Sequence, residues 1–476
     1  MSYPPRLVPR LRLLRRIGHS VLLAGEEEAQ SFEDPLLADL LTIAAQADAH
    51  ETADGLHNVY SESQINLGLA KLNELQLLNS EQSAPSPQGA YWDSLDLPGP
   101  LSPIEFHSIC DQGAELITKA LSASGVVLKV GADFALVSTH DYLDPALAKF
   151  AEREQPWMLA KPVGHTVWLG PIFIPGRTVC WNCLARAIRA NRWPQAAFFG
   201  WSDHALPPQP AIASLPGTLE LAAGMIANAA AIWSAAGEYP TLEDRIFSFD
   251  TRTLRSAFNP IRSWADCPRC SRPPRASRAR DLESFISPIT GIVSRMIVTE
   301  GPVCGCYHAQ ASVTSPLPHG NSRPILKPQN AMGKGLTAEE AKTGCLAEAV
   351  ERYSILFRGD ETRVHAGVPG QPSIAPQRLL HFSPDQFAVR DTWNPSQSEL
   401  QWVPEPLPAG ASIEWIRGSS LMSGEPVLVP AAYCYMQYSF GSEPEFCAAD
   451  TNGCASGKTI EGPSCPACSN WSSAMQ

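Results

Sequence analysis

No run of apolar residues in this chain reaches the ~20 that a membrane-spanning helix needs. The N-terminus carries arginines but no apolar core followed by a cleavage site, so no secretory signal is expected there. Cationic surplus is also missing: 36 Lys and Arg stand against 48 Asp and Glu, for a formal net charge of -12. That balance argues against an extended nucleic-acid surface, though not against a local basic patch. Gly-x-Gly-x-x-Gly does not occur, which disfavours a dinucleotide-type phosphate loop. The expectation is a cytoplasmic protein with neither a membrane nor a nucleic-acid partner. In that reducing setting, the 13 cysteines read as metal ligands before disulfides. A length of 476 residues suggests about three domains.

What is present centres on Gly333-Lys334-Gly335-Leu336-Thr337 and the helical run Ala338 to Ser354 behind it. Thr337 can cap that helix, and Glu339 and Glu340 suit its positive end. Leu346, Ala349, Val350 and Tyr353 recur at helical spacing and can face a core. Glu348 and Glu351 are three apart, so both carboxylates project from one face. A glycine-rich turn bearing a lysine, ahead of two adjacent carboxylates, suits a nucleotide with its Mg²⁺. It is not a Walker A loop, because Gly333 directly precedes Lys334 and Gly335 follows it. A capped amphipathic helix with solvated acids would read the same way.

Cys180-x-x-Cys183 and Cys267-x-x-Cys270 offer four thiolates for a tetrahedral Zn²⁺. Their separation far exceeds that of a zinc ribbon, so the metal would staple distant segments. Four cysteines leave no open position for catalysis. Cys304 and Cys306 are a poorer chelating pair and are taken as bystanders.

Along the chain, Arg6 to Ser31 reads as two short strands, and Asp34-Pro35 opens a helix through Ile43. Ser61 caps a second helix, and Leu75 to Leu78 can begin a short strand. Residues 1–80 thus suggest a winged helix-turn-helix, with 81–103 a Ser/Pro/Gly/Gln-rich linker. A βα pattern follows, with a helix over Leu116 to Leu121 and buried strands over Gly125 to Val130 and Phe134 to Ser138. Asp141 to Asp144 come next, where open α/β sheets often place a ligand crevice. Leu219 to Trp233 is read as a core helix and Arg245 to Pro260 as strand-rich. After a basic linker at 271–280, strands are expected over Gly291 to Val298. Glu361 to Pro430 alternates strand signals with Pro/Gly turns.

The run from Gly333-Lys334-Gly335 to Cys345-Leu346-Ala347-Glu348-Ala349-Val350-Glu351-Arg352-Tyr353-Ser354 resembles the first ATP-site motif of the YcaO family. Ala449-Asp450-Thr451-Asn452-Gly453-Cys454-Ala455-Ser456-Gly457 resembles its later S/T-N-G-x-A-x-G motif. The segment around Cys180 resembles a ThiF-like domain, and residues 1–80 resemble the peptide-recognition element fused ahead of azoline-forming YcaO proteins.

That resemblance implies an α/β and α+β multidomain chain. Its parts are a winged helix-turn-helix, a ThiF-like α/β domain with a zinc staple at 104–270, and a partial YcaO domain at 281–461. It implies ATP-dependent cyclisation of Cys, Ser or Thr onto the preceding carbonyl of a precursor peptide bound through its leader. Lys334 would bind phosphate, Glu348 and Glu351 would hold Mg²⁺, and Asn452 would line the nucleotide site. A dehydrogenase partner and a homodimer are compatible with it.

Residues 462–476 depart from the family, where a helix with further metal-binding glutamates is expected. Their codons, read one nucleotide earlier, can spell such an acidic helix, so a frameshift is expected and Cys465-Pro466-Ala467-Cys468 would be its accident. On that reading the YcaO domain is incomplete and the written chain inactive. The alternatives are a non-catalytic leader-binding scaffold and an adenylating ThiF-like enzyme, the latter disfavoured by the absent glycine fingerprint.

Overall fold

The computed structural model describes residues 6–26, 28–46, 55–79, 86–192, 211–263, 267, 269–270, 282–301, 305–314, 329–357, 364–365, 372–379, 382–396, 403–408, 410–436, 438, 446–447, 449, 451 and 453–457. They form two compact units. One comprises Met1–Glu105, Ile117–Ala132 and Gly224–Tyr239; the other comprises Phe106–Leu116, Asp133–Ala223 and Pro240–Gln476.

In the first unit, β1 (Arg6–Leu7) pairs with β5 (Leu78–Asn79), and β2 (Arg12–Ile17), β3 (Ser20–Ala24) and β4 (Ala29–Phe32) form an antiparallel sheet. The expected two strands before Ser31 are therefore four by residue 32. Helix α1 (Pro35–Ala44) is capped by Asp34, and α2 (Glu62–Glu74) by a Ser61/Gln64 capping box. Leu7, Leu23, Leu37, Leu41, Leu72 and Leu77 close a core among these elements. Inside the stretch read as a linker, Ser86 and Pro87 start α3 (Pro87–Ser94). Trp92 is buried there, and Asp93 accepts from the Arg10 amide and guanidinium. Helix α4 (Ala114–Ala123) matches its expected position. The strand expected over Gly125 to Val130 is absent: an isolated bridge joins Leu128 to Ile104, while Val127 and Val130 are 64% and 89% exposed. These apolar residues lack a neighbouring strand to cover them, so the pattern alone did not make a strand.

In the second unit, β6 (Glu105–Ser108), β7 (Ala135–Ser138), β8 (Trp157–Lys161), β9 (Thr166–Phe173), β10 (Arg245–Asp250) and β11 (Arg255–Pro260) form one sheet in that order. β7 and β8 are parallel; from β8 onward the pairings are antiparallel. Asp141, just past β7, is buried and ion-paired to Arg192 at 2.7 Å, at the end of α5 (Trp181–Asn191). Tyr142, fully buried, donates to the Gly170 carbonyl at 2.7 Å. The acidic turn read as a crevice is thus a packed, internally satisfied corner.

Helix α6 (Pro216–Ala236) corrects a second expectation. It has 21 residues and is long and apolar enough to cross a membrane by length and composition. Half of its most apolar window is buried within the protein, Ala222, Ile226 and Ala230 completely, as a core helix requires.

Further along the second unit, β12 (Val293–Glu300), β13 (Tyr307–Val313) and β14 (Gln329–Gly335) make an antiparallel sheet covered on one face by α7 (Ala338–Ile355). Then β15 (Val364–His365), β16 (Glu414–Ser419) and β17 (Pro426–Pro430) form a small sheet. Within the region read as strands and turns, Ser383 and Gln386 box the start of a helix, α8 (Pro384–Trp393), with Pro384 in its first turn.

Candidate active site

Lys334 lies within β14, so Gly333-Lys334-Gly335 is extended strand and not the turn its glycines suggested. A Cβ on Gly333 would stand 2.0 Å from the Ala341 carbonyl oxygen and 2.4 Å from the Cys345 nitrogen. One on Gly335 would stand 2.5 Å from Glu340 Cβ. These glycines let α7 lie directly on β14, with Ala331, Ala341, Cys345 and Ala349 buried between them. Cys345 Sγ donates to the Ala331 carbonyl at 3.3 Å.

The turn into α7 behaves as read. The Glu340 amide donates to Thr337 Oγ1 at 3.1 Å, and Glu340 Oε2 accepts from the Leu336 and Thr337 amides at 2.8 and 3.2 Å. Odd positions of β14 face the helix, so Lys334 projects from the opposite face, opposite His308 of β13. Among the described residues, no hydrogen bond or ion pair links Lys334 to Glu348 or Glu351.

The two carboxylates are near enough for the Glu348 charge to act on Glu351, and Glu348 is anchored by a backbone amide. Glu348 Oε2 accepts from the Met332 amide on β14 at 3.3 Å, while Oε1 accepts from Arg352 Nη2 and Nε at 3.0 and 3.3 Å. The Ser456 backbone amide lies near the Glu351 carboxylate and favours its charged form. Burial is the largest influence on Glu351 and pushes its pKa up; the Arg352 charge opposes that and the Glu348 charge adds to it. Glu351 therefore lies near the second sequence motif, of which Ala449, Thr451 and Gly453 to Gly457 are described and Asn452 lies outside the described residues. Arg352 went unremarked in the sequence, although its spacing of four from Glu348 is the signal for such a pair.

Cys180, Cys183, Cys267 and Cys270 converge, their Sγ atoms all within 4.8 Å of one another. Cys180 lies 3.8 Å from Cys183 and 3.4 Å from Cys267, and Cys183 lies 3.6 Å from Cys270. A tetrahedral tetrathiolate with metal–sulfur bonds of about 2.3 Å has sulfur–sulfur edges of about 3.8 Å, so the four thiols fit one. Cys180 occupies the N-cap position of α5 without a side-chain capping bond, and contact with the Cys183 thiol foremost holds its pKa down to about 5. Burial pushes Cys267 up to about 11. Cys306 stands apart from this cluster, and Cys304, Cys465 and Cys468 lie outside the described residues, as does the whole 462–476 tail.

Residues 332–465, which take in most of β14, all of α7 and the segment at Ser456, match the family described as YcaO cyclodehydratase, ATP- and Mg²⁺-binding. The chain carries a YcaO cyclodehydratase domain. Over 96% of its length it is similar to a solved heterocyclase in complex with substrate and cofactor, at 27% identity and a TM-score of 0.82, covering 68% of that chain. It is likewise similar to the heterocyclase TruD, at 26% identity and a TM-score of 0.75, covering 67% of that chain. No curated protein matches. The YcaO domain thus joins an α/β arrangement shared with heterocyclases well beyond the matched residues.

Proposed function

We propose that this architecture serves ATP-dependent cyclodehydration of a peptide. A Cys thiol or Ser/Thr hydroxyl adds to the preceding amide carbon, the amide oxygen departs as phosphate, and loss of the amide proton leaves a C=N azoline. The peptide loses one water, and ATP becomes ADP and phosphate. ATP would supply the phosphoryl group, and Mg²⁺ would neutralise its charge. Glu348 and Glu351 are the carboxylates that would hold the metal, Lys334 would meet phosphate, and Asn452 would line the nucleotide. The observation that carries this reading is the family match over residues 332–465, which takes in Glu348, Glu351 and the segment at Ser456 whose amide acts on Glu351.

The first unit would bind the leader of the precursor as an added strand within a winged helix-turn-helix. The sheet has two edges, and they differ. β2 carries Arg12, Arg15 and Arg16 and an irregular register between Leu13 and Arg15, features that blunt an edge. β4, Ala-Gln-Ser-Phe, is short, uncharged and regularly paired to β3, leaving its other side to receive a strand. Zn²⁺ would occupy the four thiols in a ThiF-like domain as a structural staple.

The tail 462–476, Gly-Pro-Ser-Cys-Pro-Ala-Cys and onward, carries no acidic residue and is read as a frameshifted stretch that offers the metal no further carboxylate. The test is a paired assay with ATP, Mg²⁺ and precursor peptide. It compares the written chain with one carrying the restored reading frame and follows loss of water by mass spectrometry. Dehydration by the restored chain alone supports the whole reading. Robust ATP-dependent dehydration by the written chain refutes the reading of the tail, and none by either refutes cyclodehydration.

A further inference from the structure

Glu348 is fixed from two sides that do not depend on each other. Met332 lies on β14, at the end of the sheet order β12-β13-β14, and its amide reaches Glu348 Oε2. Arg352 lies one turn further along α7 and grips Oε1 through two nitrogens. The pair is half-buried, with Arg352 and Glu348 side chains 28% and 31% exposed. A carboxylate held by one amide alone can still rotate about its side-chain bonds; a second donor on the other oxygen sets its plane. Glu351 is the next acid on that face, and the Glu348 charge acts on it.

We propose that Arg352 is a positioning residue: by holding Glu348 against the edge of β14, it keeps the Glu348 and Glu351 carboxylates in place for a divalent cation before any nucleotide arrives. This rests on the reading that the two acids hold the metal. Groups that orient metal ligands are worth about 10- to 100-fold in metal affinity, although they touch no metal. A guanidinium supplies two N–H donors in one plane, and an ammonium does not reproduce that fork.

The experiment titrates Mn²⁺ alone into the full-length chain and reads free Mn²⁺ by electron paramagnetic resonance. Arg352→Gln should weaken Mn²⁺ binding about 10- to 100-fold, and Arg352→Lys should recover only part of the loss. Hydrogen–deuterium exchange gives a second readout without metal. The segment 329–335 should exchange faster in Arg352→Gln, while the far sheet strand 245–250 stays protected. If Arg352→Gln holds Mn²⁺ as tightly as the unaltered chain while Glu348→Gln and Glu351→Gln lose it, Arg352 has no positioning role. If the glutamine variants of both acids also bind normally, or the unaltered chain takes no Mn²⁺, the metal reading itself is wrong and the proposal falls with it. Should Arg352→Gln fail to fold, the Arg352→Lys affinity and its 329–335 exchange decide between the same outcomes.

Discussion

The Ser456 backbone amide lies close enough to the Glu351 carboxylate to favour its charged form, which brings the fourth turn of α7 near a glycine-rich segment far along the chain. Because that amide is backbone, its nearness to Glu351 depends on the path of the chain through Gly453 to Gly457 and not on the Ser456 side chain. Gly453 adopts φ +81, a conformation that side-chain-bearing residues rarely take.

Glu351→Gln should stabilise the protein near neutral pH in Mg²⁺-free buffer while abolishing any metal affinity of the pair. The sign follows from linkage. Burial holds the folded-state pKa above the unfolded value, so the protonated form favours folding and that contribution is lost as pH rises through the folded pKa. A neutral amide avoids the loss. The gain in melting temperature should shrink on acidification and vanish below the unfolded glutamate value of about 4.3. A variant that melts below the unaltered chain at pH 7 would contradict this.

Gly333→Ala should destabilise the YcaO domain by about 1–3 kcal/mol or prevent its folding, because backbone atoms of α7 occupy the space of the new methyl. Gly344→Ala is the control. Its Cβ meets Gly333 only at 4.0 Å, and alanine in a helix interior gains up to about 1 kcal/mol over glycine. Urea denaturation of both should show opposite signs.

One zinc per chain should co-purify and be measurable by elemental analysis. Cys180→Ser and Cys267→Ser should each lower metal content and melting temperature, with a stability loss of about 2–5 kcal/mol for a structural site. Well-folded protein free of zinc would remove the staple.

A fragment of residues 1–80 should fold and bind leader peptide on its own. Its core, from Leu7 to Leu77, is made entirely of residues within it. Circular dichroism should show a cooperative melt, and calorimetry should show leader binding comparable to that of the whole chain. Binding that required residues after 280 would refute this placement.

Much of this protein was legible in its sequence because the signals are local. The Thr337 and Ser61 caps, the apolar face of α7, the strands 135–138 and 293–300 and the pairing of two distant Cys-x-x-Cys knuckles all follow from spacing that neighbouring residues enforce. The Pro87 and Pro384 helices were hidden because polar, proline-rich stretches carry little periodicity, even though Ser-Pro at each start is a capping signal. Tertiary structure alone decided the rest. Gly333 is glycine because a helix backbone lies upon it, a distance that no sequence window contains. Val127 and Val130 look like strand and are exposed, since a strand exists only where another pairs with it. Beside Arg352, the partner of Glu348 is an amide on β14, and an amide at Ser456 lies near Glu351; these are backbone groups that any residue supplies. Residue types in the sequence could nominate the two acids, but only the folded chain could show what holds them.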